Sequence, residues 1–197
     1  GMGKRMFDLL VALGGLAVFS LPMLVIALWV RLDSPGPVLF RQQRVGQGGR
    51  PFRIHKFRTM SADAPARGPA LTVGADPRIT RAGAWLRRSK LDELPQLLDV
   101  LAGHMSIVGP RPEVPQYVAL YPAGLREQVL SVRPGITDSA AIVFRDESSL
   151  LAAAKDPEAT YIHEILPRKL ALYADYVRTR SFFGDLMLIL KTVRAIF

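Results

Sequence analysis

The longest hydrophobic pattern in the chain comes first. Leu9 to Val30 runs for 22 residues without a charged side chain. As a straight helix this run would reach about 33 Å, roughly the hydrocarbon thickness of a bilayer. Pro22 interrupts it: proline has no N–H to offer the carbonyl of Val18, so a bend is expected there. The Ser20 hydroxyl can satisfy a backbone group that the bend releases. Basic residues flank both ends, with Lys4 and Arg5 before the run and Arg31, Arg41, Arg44 and Arg50 after it. Basic flanks favour the cytoplasmic side. Both can lie there if the helix enters the membrane, breaks at Ser20 and Pro22, and returns. An ordinary span and a buried helix of a soluble core are the alternatives.

Beyond Arg31 the pattern becomes short-segmented. Ser34-Pro35-Gly36-Pro37 marks a turn. Val38-Leu39-Phe40 and Phe52 to Phe57 read as strands around the turn Val45-Gly46-Gln47-Gly48-Gly49. No Gly-Lys-Ser/Thr follows these glycines, so they do not form a nucleotide-binding P-loop. Residues 61–78 read as a mobile surface loop. A helical pattern runs from Ile79 to Leu101 with a break near residue 90. Another surrounds Tyr117 to Leu130 and closes before Arg133-Pro134-Gly135. From Tyr161 the tail is helical. Phe183, Leu186, Leu190, Val193 and Phe197 recur at helical spacing, with Lys191 and Arg194 available to the other side. That pattern fits a core helix and an interfacial helix equally. The expected class is α/β, mostly helical with short strands. Residues 1–33 form a basic segment and membrane helix, and residues 34–197 form the remaining domain.

Composition narrows the chemistry. The 197 residues suffice for one domain with a real core, and 49% hydrophobic content excludes a disordered chain. With no cysteine there is no disulfide framework, thiolate nucleophile or thiolate zinc site. His55, His104 and His163 lack metal-ligand spacing. The net charge of +9 is concentrated in residues 1–60, which carry +7 of it. Such a basic end beside an apolar run suits phospholipid or a phosphate ligand. Nucleic acid fits less well, because no helix-turn-helix, finger or RNA-binding signature is present.

The densest motif is Arg87-Arg88-Ser89-Lys90-Leu91-Asp92-Glu93-Leu94-Pro95-Gln96-Leu97-Leu98. Pro95 inside a helix would cost about 3 kcal/mol, so a helix is expected to begin near Asp92, with Pro95 in its first turn. Asp92 and Glu93 then lie at a helix N-terminus, where an ionised carboxylate is stabilised and phosphate is attracted. A capped surface helix with flanking ion pairs would have the same sequence. Its company argues for more. Gly109-Pro110-Arg111-Pro112 can fix one guanidinium for bidentate phosphate binding, and Lys56, Arg58 and Arg133 add cations. Many cations beside two carboxylates suit phosphoryl transfer, and hard oxygen ligands suit Mg²⁺.

These residues resemble the small monotopic phosphoglycosyl transferases of bacteria, the bacterial sugar transferase family. The resemblance covers nearly the whole chain. It rests on the basic-then-apolar start with its Ser/Pro break, Lys56-Phe57-Arg58-Thr59-Met60, Leu91-Asp92-Glu93-Leu94-Pro95-Gln96-Leu97, Met105-Ser106-Ile107-Val108-Gly109-Pro110-Arg111-Pro112, and Val132-Arg133-Pro134-Gly135-Ile136-Thr137. It implies an α/β domain docked on the cytoplasmic face of the bacterial inner membrane by a re-entrant helix and interfacial amphipathic helices. It also implies a two-step reaction. Asp92 attacks the β-phosphorus of a UDP-sugar, releases UMP, and passes the sugar-phosphate to polyprenyl (undecaprenyl) phosphate. Glu93 is the second member of the dyad, as base or metal neighbour, and Asp92 is the expected Mg²⁺ ligand. Lys56, Arg58, Arg87, Arg111 and Arg133 are assigned to phosphate or nucleotide contacts. A homodimer through the membrane-facing helices is compatible with the class, and a non-catalytic membrane scaffold for glycan assembly is the alternative. Two departures stand out. Many members continue Arg-Pro-Gly-Ile-Thr with Gly-Trp, where this chain has Asp138-Ser139, and its break is spelled Ser20-Leu21-Pro22 instead of adjacent Ser-Pro.

Overall fold

The computed structural model describes residues 1–197 and is a mixture of helices and short strands. Two helices come first, α1 (Met2–Val18) and α2 (Ser20–Asp33), followed by the hairpin β1 (Leu39–Val45) and β2 (Pro51–Phe57). Next come α3 (Ala64–Arg67), α4 (Arg81–Ser89), a 3₁₀ turn (Leu91–Glu93), α5 (Gln96–Leu101) and β3 (Ser106–Val108). The remainder is α6 (Pro115–Val118), α7 (Ala123–Val129), β4 (Gly135–Thr137), α8 (Glu147–Ala152), α9 (Pro157–Thr160), a π-helical turn (Tyr161–Ile165), α10 (Leu166–Thr179) and α11 (Phe182–Ile196).

The bend at the apolar run is real. The axes of α1 and α2 differ by 64°, and neither helix alone is long and apolar enough to cross a membrane. Pro22 sits in the first turn of α2, where its missing N–H is harmless, and Ser20 Oγ donates to Ala17 O at 2.9 Å across the break. Leu13, Val18, Leu21, Leu24 and Leu28 are each more than half exposed. The opposite face of α1 belongs to the domain core, so residues 1–33 and 34–197 share packing across the expected boundary. Ala12 is fully buried against a cluster containing Phe52, Leu97, Val100 and Ile107. Three polar anchors hold α1 there. Asp8 accepts from Ser106 Oγ at 2.7 Å and from the Ile107 N–H at 3.1 Å. Arg5 donates to the Val100 and Leu101 carbonyls at the end of α5, and Lys4 pairs with Asp185 at 2.5 Å.

The β1–β2 hairpin is antiparallel, from Leu39 opposite Phe57 to Val45 opposite Pro51. Its first strand is longer than the Val38–Phe40 segment expected, because Arg41, Gln42 and Gln43 pair by backbone regardless of their polarity. Strands β3 and β4, which hydropathy does not single out, pair in parallel with Ser106 beside Gly135 and Val108 beside Thr137. A Cβ on Gly135 would lie 2.0 Å from Gly109 N, so only glycine permits this approach. The single helix expected around Tyr117–Leu130 is two, separated by residues 119–122. Pro122 cannot continue α6 and instead begins α7, its carbonyl accepting from the Arg126 N–H at 2.8 Å. The 61–78 loop contains α3 and is organised by buried Arg78. That guanidinium pairs with Asp76 at 2.7 Å and donates to the carbonyls of Ala64, Pro69 and Leu71. In α11 the ambiguity resolves toward exposure. Phe182, Phe183 and Leu190 are more than half exposed, and only Asp185 is buried.

Candidate active site

Helix α4 begins with Thr80 Oγ1 accepting from the Gly83 N–H at 2.9 Å and Asp33 accepting from the Ala82 N–H at 3.0 Å. A Cβ at Gly83 would fall 2.0 Å from Thr59 O, so glycine lets α4 press against the chain leaving β2. The helix ends where Lys90 turns left-handed at φ 61°. This reversal breaks the helical pattern near residue 90, as the sequence predicts. Asp92 and Glu93 then lie in the 3₁₀ turn, ahead of the helix they were expected to open. Pro95 is the N-cap of α5, which starts only at Gln96. Successive residues of a 3₁₀ turn point about 120° apart, so the two carboxylates meet different surroundings.

Glu93 is held by two cations. Its Oε1 lies 3.1 Å from an Arg111 Nη and 3.6 Å from Lys56 Nζ. Burial pushes its carboxyl up, but Arg111, then Lys56, outweigh that and hold it at about 2. Lys56 comes from β2; burial lowers its ammonium to about 8 against the pull of Glu93. Arg111, whose side chain is 38% exposed, is raised mainly by Glu93 and gives the cluster an open side.

Asp92 has no such partners. It is 7% exposed, and its Oδ1 is sealed from water and accepts no hydrogen bond. An unsatisfied buried acceptor typically costs about 1–3 kcal/mol. Burial raises the Asp92 carboxyl, with Glu93 adding to that, while Lys56, Arg87 and Lys90 pull it back toward ionisation. Arg87 is positioned by two threonines, donating to Thr59 Oγ1 at 2.9 Å and to Thr72 Oγ1 at 3.3 Å. The structure thus brings Lys56, Arg87, Asp92, Glu93 and Arg111 together.

Two expected ligands lie elsewhere. Arg58 is 4% exposed, and its guanidinium binds the carbonyls of Val30, Ser34 and Pro37, clamping α2 onto the domain. β2 ends at Phe57, so Lys56 and Arg58 serve different structures despite their spacing. Arg133 donates through Nε to Gly103 O at 2.9 Å and belongs to a separate cavity. Sequence reasoning missed Thr59, Thr72 and Arg44. Arg44 donates to Pro112 O at 2.8 Å and braces the turn that carries Arg111. Thr59 lies inside a quoted motif and could have been found there; Thr72 and Arg44 carry no local signal. Asp138, at the departure from the common Gly-Trp, is buried and accepts from the Ala140 N–H at 2.9 Å. Burial raises its carboxyl, and Arg111 opposes that.

Comparison with known proteins identifies the family. The family model described as bacterial sugar transferase matches residues 1–197. The chain is 37% identical over 197 residues to the UDP-N-acetylgalactosamine-undecaprenyl-phosphate N-acetylgalactosaminephosphotransferase of Aeromonas hydrophila, covering 98% of this chain and 43% of that one. It is 39% identical over 192 residues to the UDP-glucose:undecaprenyl-phosphate glucose-1-phosphate transferase of Caulobacter vibrioides, covering 96% and 68%. An Escherichia coli protein of the same name is 37% identical over 193 residues, covering 96% and 39%. The chain therefore spans less than half the length of two of these three relatives. The match over every residue, together with a carboxylate pair set among Lys56, Arg87 and Arg111, places this chain in the bacterial sugar transferase family.

Proposed function

We propose that the protein transfers a sugar-1-phosphate from a UDP-sugar to polyprenyl phosphate through a covalent intermediate on Asp92. The observation that carries this reading is the buried Asp92 Oδ1, which has no hydrogen-bond donor although cations surround the carboxylate. Desolvation leaves an ionised carboxylate more reactive, and adjacent cations neutralise the diphosphate it would attack. Asp92 forms a bond to the β-phosphorus as the bond from that phosphorus to the bridging oxygen breaks, and UMP departs with the electron pair. A phosphate oxygen of the acceptor then attacks the same phosphorus, and Asp92 leaves as the free carboxylate. Arg87 and Arg111 bind phosphoryl oxygens. Glu93, ionised far below neutral pH, is a poor general base and acts as a positioning group for Lys56 and Arg111.

The residues fit a bound Mg²⁺. Asp92 offers a buried oxygen free of hydrogen bonds. Mg²⁺ commonly takes one or two carboxylates and completes its shell with water and substrate phosphates. Asp92 would hold it, and it would neutralise charge on the diphosphate when bound.

The exposed leucines of α1 and α2, the 64° bend and the exposed apolar residues of α11 support a monotopic, re-entrant attachment. Basic flanks on both sides of the bent pair favour the cytoplasmic face of the bacterial plasma membrane. The acceptor follows from the relatives, whose names specify undecaprenyl phosphate. Those names differ in the sugar, N-acetylgalactosamine against glucose. The test is UMP release by detergent-solubilised protein across a panel of UDP-sugars with Mg²⁺, with and without polyprenyl phosphate. UMP from one donor, sustained only with lipid, is expected. Release of UDP would replace this mechanism with ordinary glycosyl transfer.

A further inference from the structure

Arg133 lies in a cavity that shares no residue with the Asp92 cluster. Its volume is about 130 Å³, several times what one ordered water requires. The first turn of α1, strand β3, the segment before β4 and the end of α10 form its walls. Four cations line it, Lys4, Arg5, Arg133 and Arg180, with a single acid, Asp8. Both Asp8 oxygens are already engaged, by Ser106 Oγ and the Ile107 N–H, so that charge does not compete for a ligand. Lys4 is partly neutralised by Asp185, and Arg5 caps α5. Arg133 uses Nε on Gly103 O at 2.9 Å, which leaves its two Nη groups for a ligand, and Arg180 is exposed at the rim. Forked guanidinium donors in excess of acid are what a phosphate group requires.

The surroundings of the cavity point to the source of that phosphate. Met2 on α1 is 91% exposed, and Met6, Phe182 and Phe183 are each more than half exposed. Phe7 meets Phe182 edge-on at 5.4 Å, so these apolar residues of α1 and α11 form one corner beside the cations. We infer that the cavity binds the phosphate of a phospholipid headgroup and ties the α1–α11 corner to the membrane–water boundary. The lipid source rests on the membrane attachment proposed above; the anion site does not.

The test is native mass spectrometry of the full chain released from nanodiscs of phosphatidylcholine with a minority of phosphatidylglycerol. Wild type is expected to retain phosphatidylglycerol preferentially. Arg180→Gln should retain about fivefold less, Arg133→Gln combined with Arg180→Gln less again, and Arg180→Lys should recover most of it. Arg180→Gln should leave UMP release in detergent unchanged, which shows that it folds. Equal retention by wild type and Arg180→Gln would overturn the site. If inorganic phosphate raises the thermal midpoint of wild type but not of the double variant, and no phosphatidylglycerol is retained, the lipid assignment is overturned. Arginine-dependent lipid retention by a protein that releases no UMP would support this inference while refuting the transferase reading.

Discussion

The Asp92 cluster and the α1–α2 pair invert the usual partition of residues in opposite ways. The first buries charge, and the second exposes leucine. Asp92 lies beneath the surface with an oxygen that nothing in the chain satisfies, whereas Leu21, Leu24 and Leu28 face outward with nothing to cover them. The contrast extends within α1 itself, whose buried positions include Asp8 while Leu10 and Leu13 are exposed. Each inversion costs folding free energy that the isolated chain does not recover. Under the proposed function, a partner outside the chain would complete each: a phosphoryl group at Asp92, lipid at the bent helices.

The sharpest way to break this comparison is Asp92→Asn. Turnover should fall by about a thousandfold or more, as expected for loss of a nucleophile, yet stability at neutral pH should not fall. Burial raises the carboxyl of Asp92 in the folded state, so its ionised form costs stability once pH exceeds its unfolded value, and a neutral side chain removes that cost. A lower denaturation midpoint in the variant would show instead that the charge holds the cluster together. On the opposite side, Leu24→Lys should weaken membrane partitioning by about a hundredfold, since a charge in hydrocarbon costs about 2.5–3.5 kcal/mol. Liposome flotation measures this, and an unchanged partition would place that face outside the lipid.

Smaller effects refine the site. Lys56 is cationic below about 8 and neutral above it, so kcat/KM should decline about tenfold per pH unit on the alkaline side. Lys56→Arg should shift that decline to higher pH; an unmoved limb would assign it to another group. Least of all, Lys90→Gly should stabilise the fold by about 1 kcal/mol by relieving its left-handed backbone. Chemical denaturation would detect it.

Much of this was legible in one dimension. The charge-free run, its break at Ser20 and Pro22, the hairpin and the interruption at residue 90 all follow from local rules about proline, glycine and periodicity. The dyad and three of its cations were legible as motifs. The split at Pro122 was in principle visible but was outweighed by the helical pattern on either side. The β3–β4 pairing was not visible, because three-residue strands are too short to carry a period. Its clue is the pair Gly109 and Gly135, whose purpose appears only when the two backbones meet.

By itself the sequence determined the inventory: which segments are apolar, where the chain must turn, and that carboxylates and cations recur in a specific order. Only the tertiary structure decided which cations serve which carboxylate. Arg58 and Arg133 are as basic as Arg87 and Arg111, but one clamps α2 and the other lines a separate cavity. The physical reason is that charge is a property of a residue, whereas burial, partners and the resulting pKa are properties of its surroundings. Those surroundings come from segments far apart in the chain, and no local pattern states where they will meet.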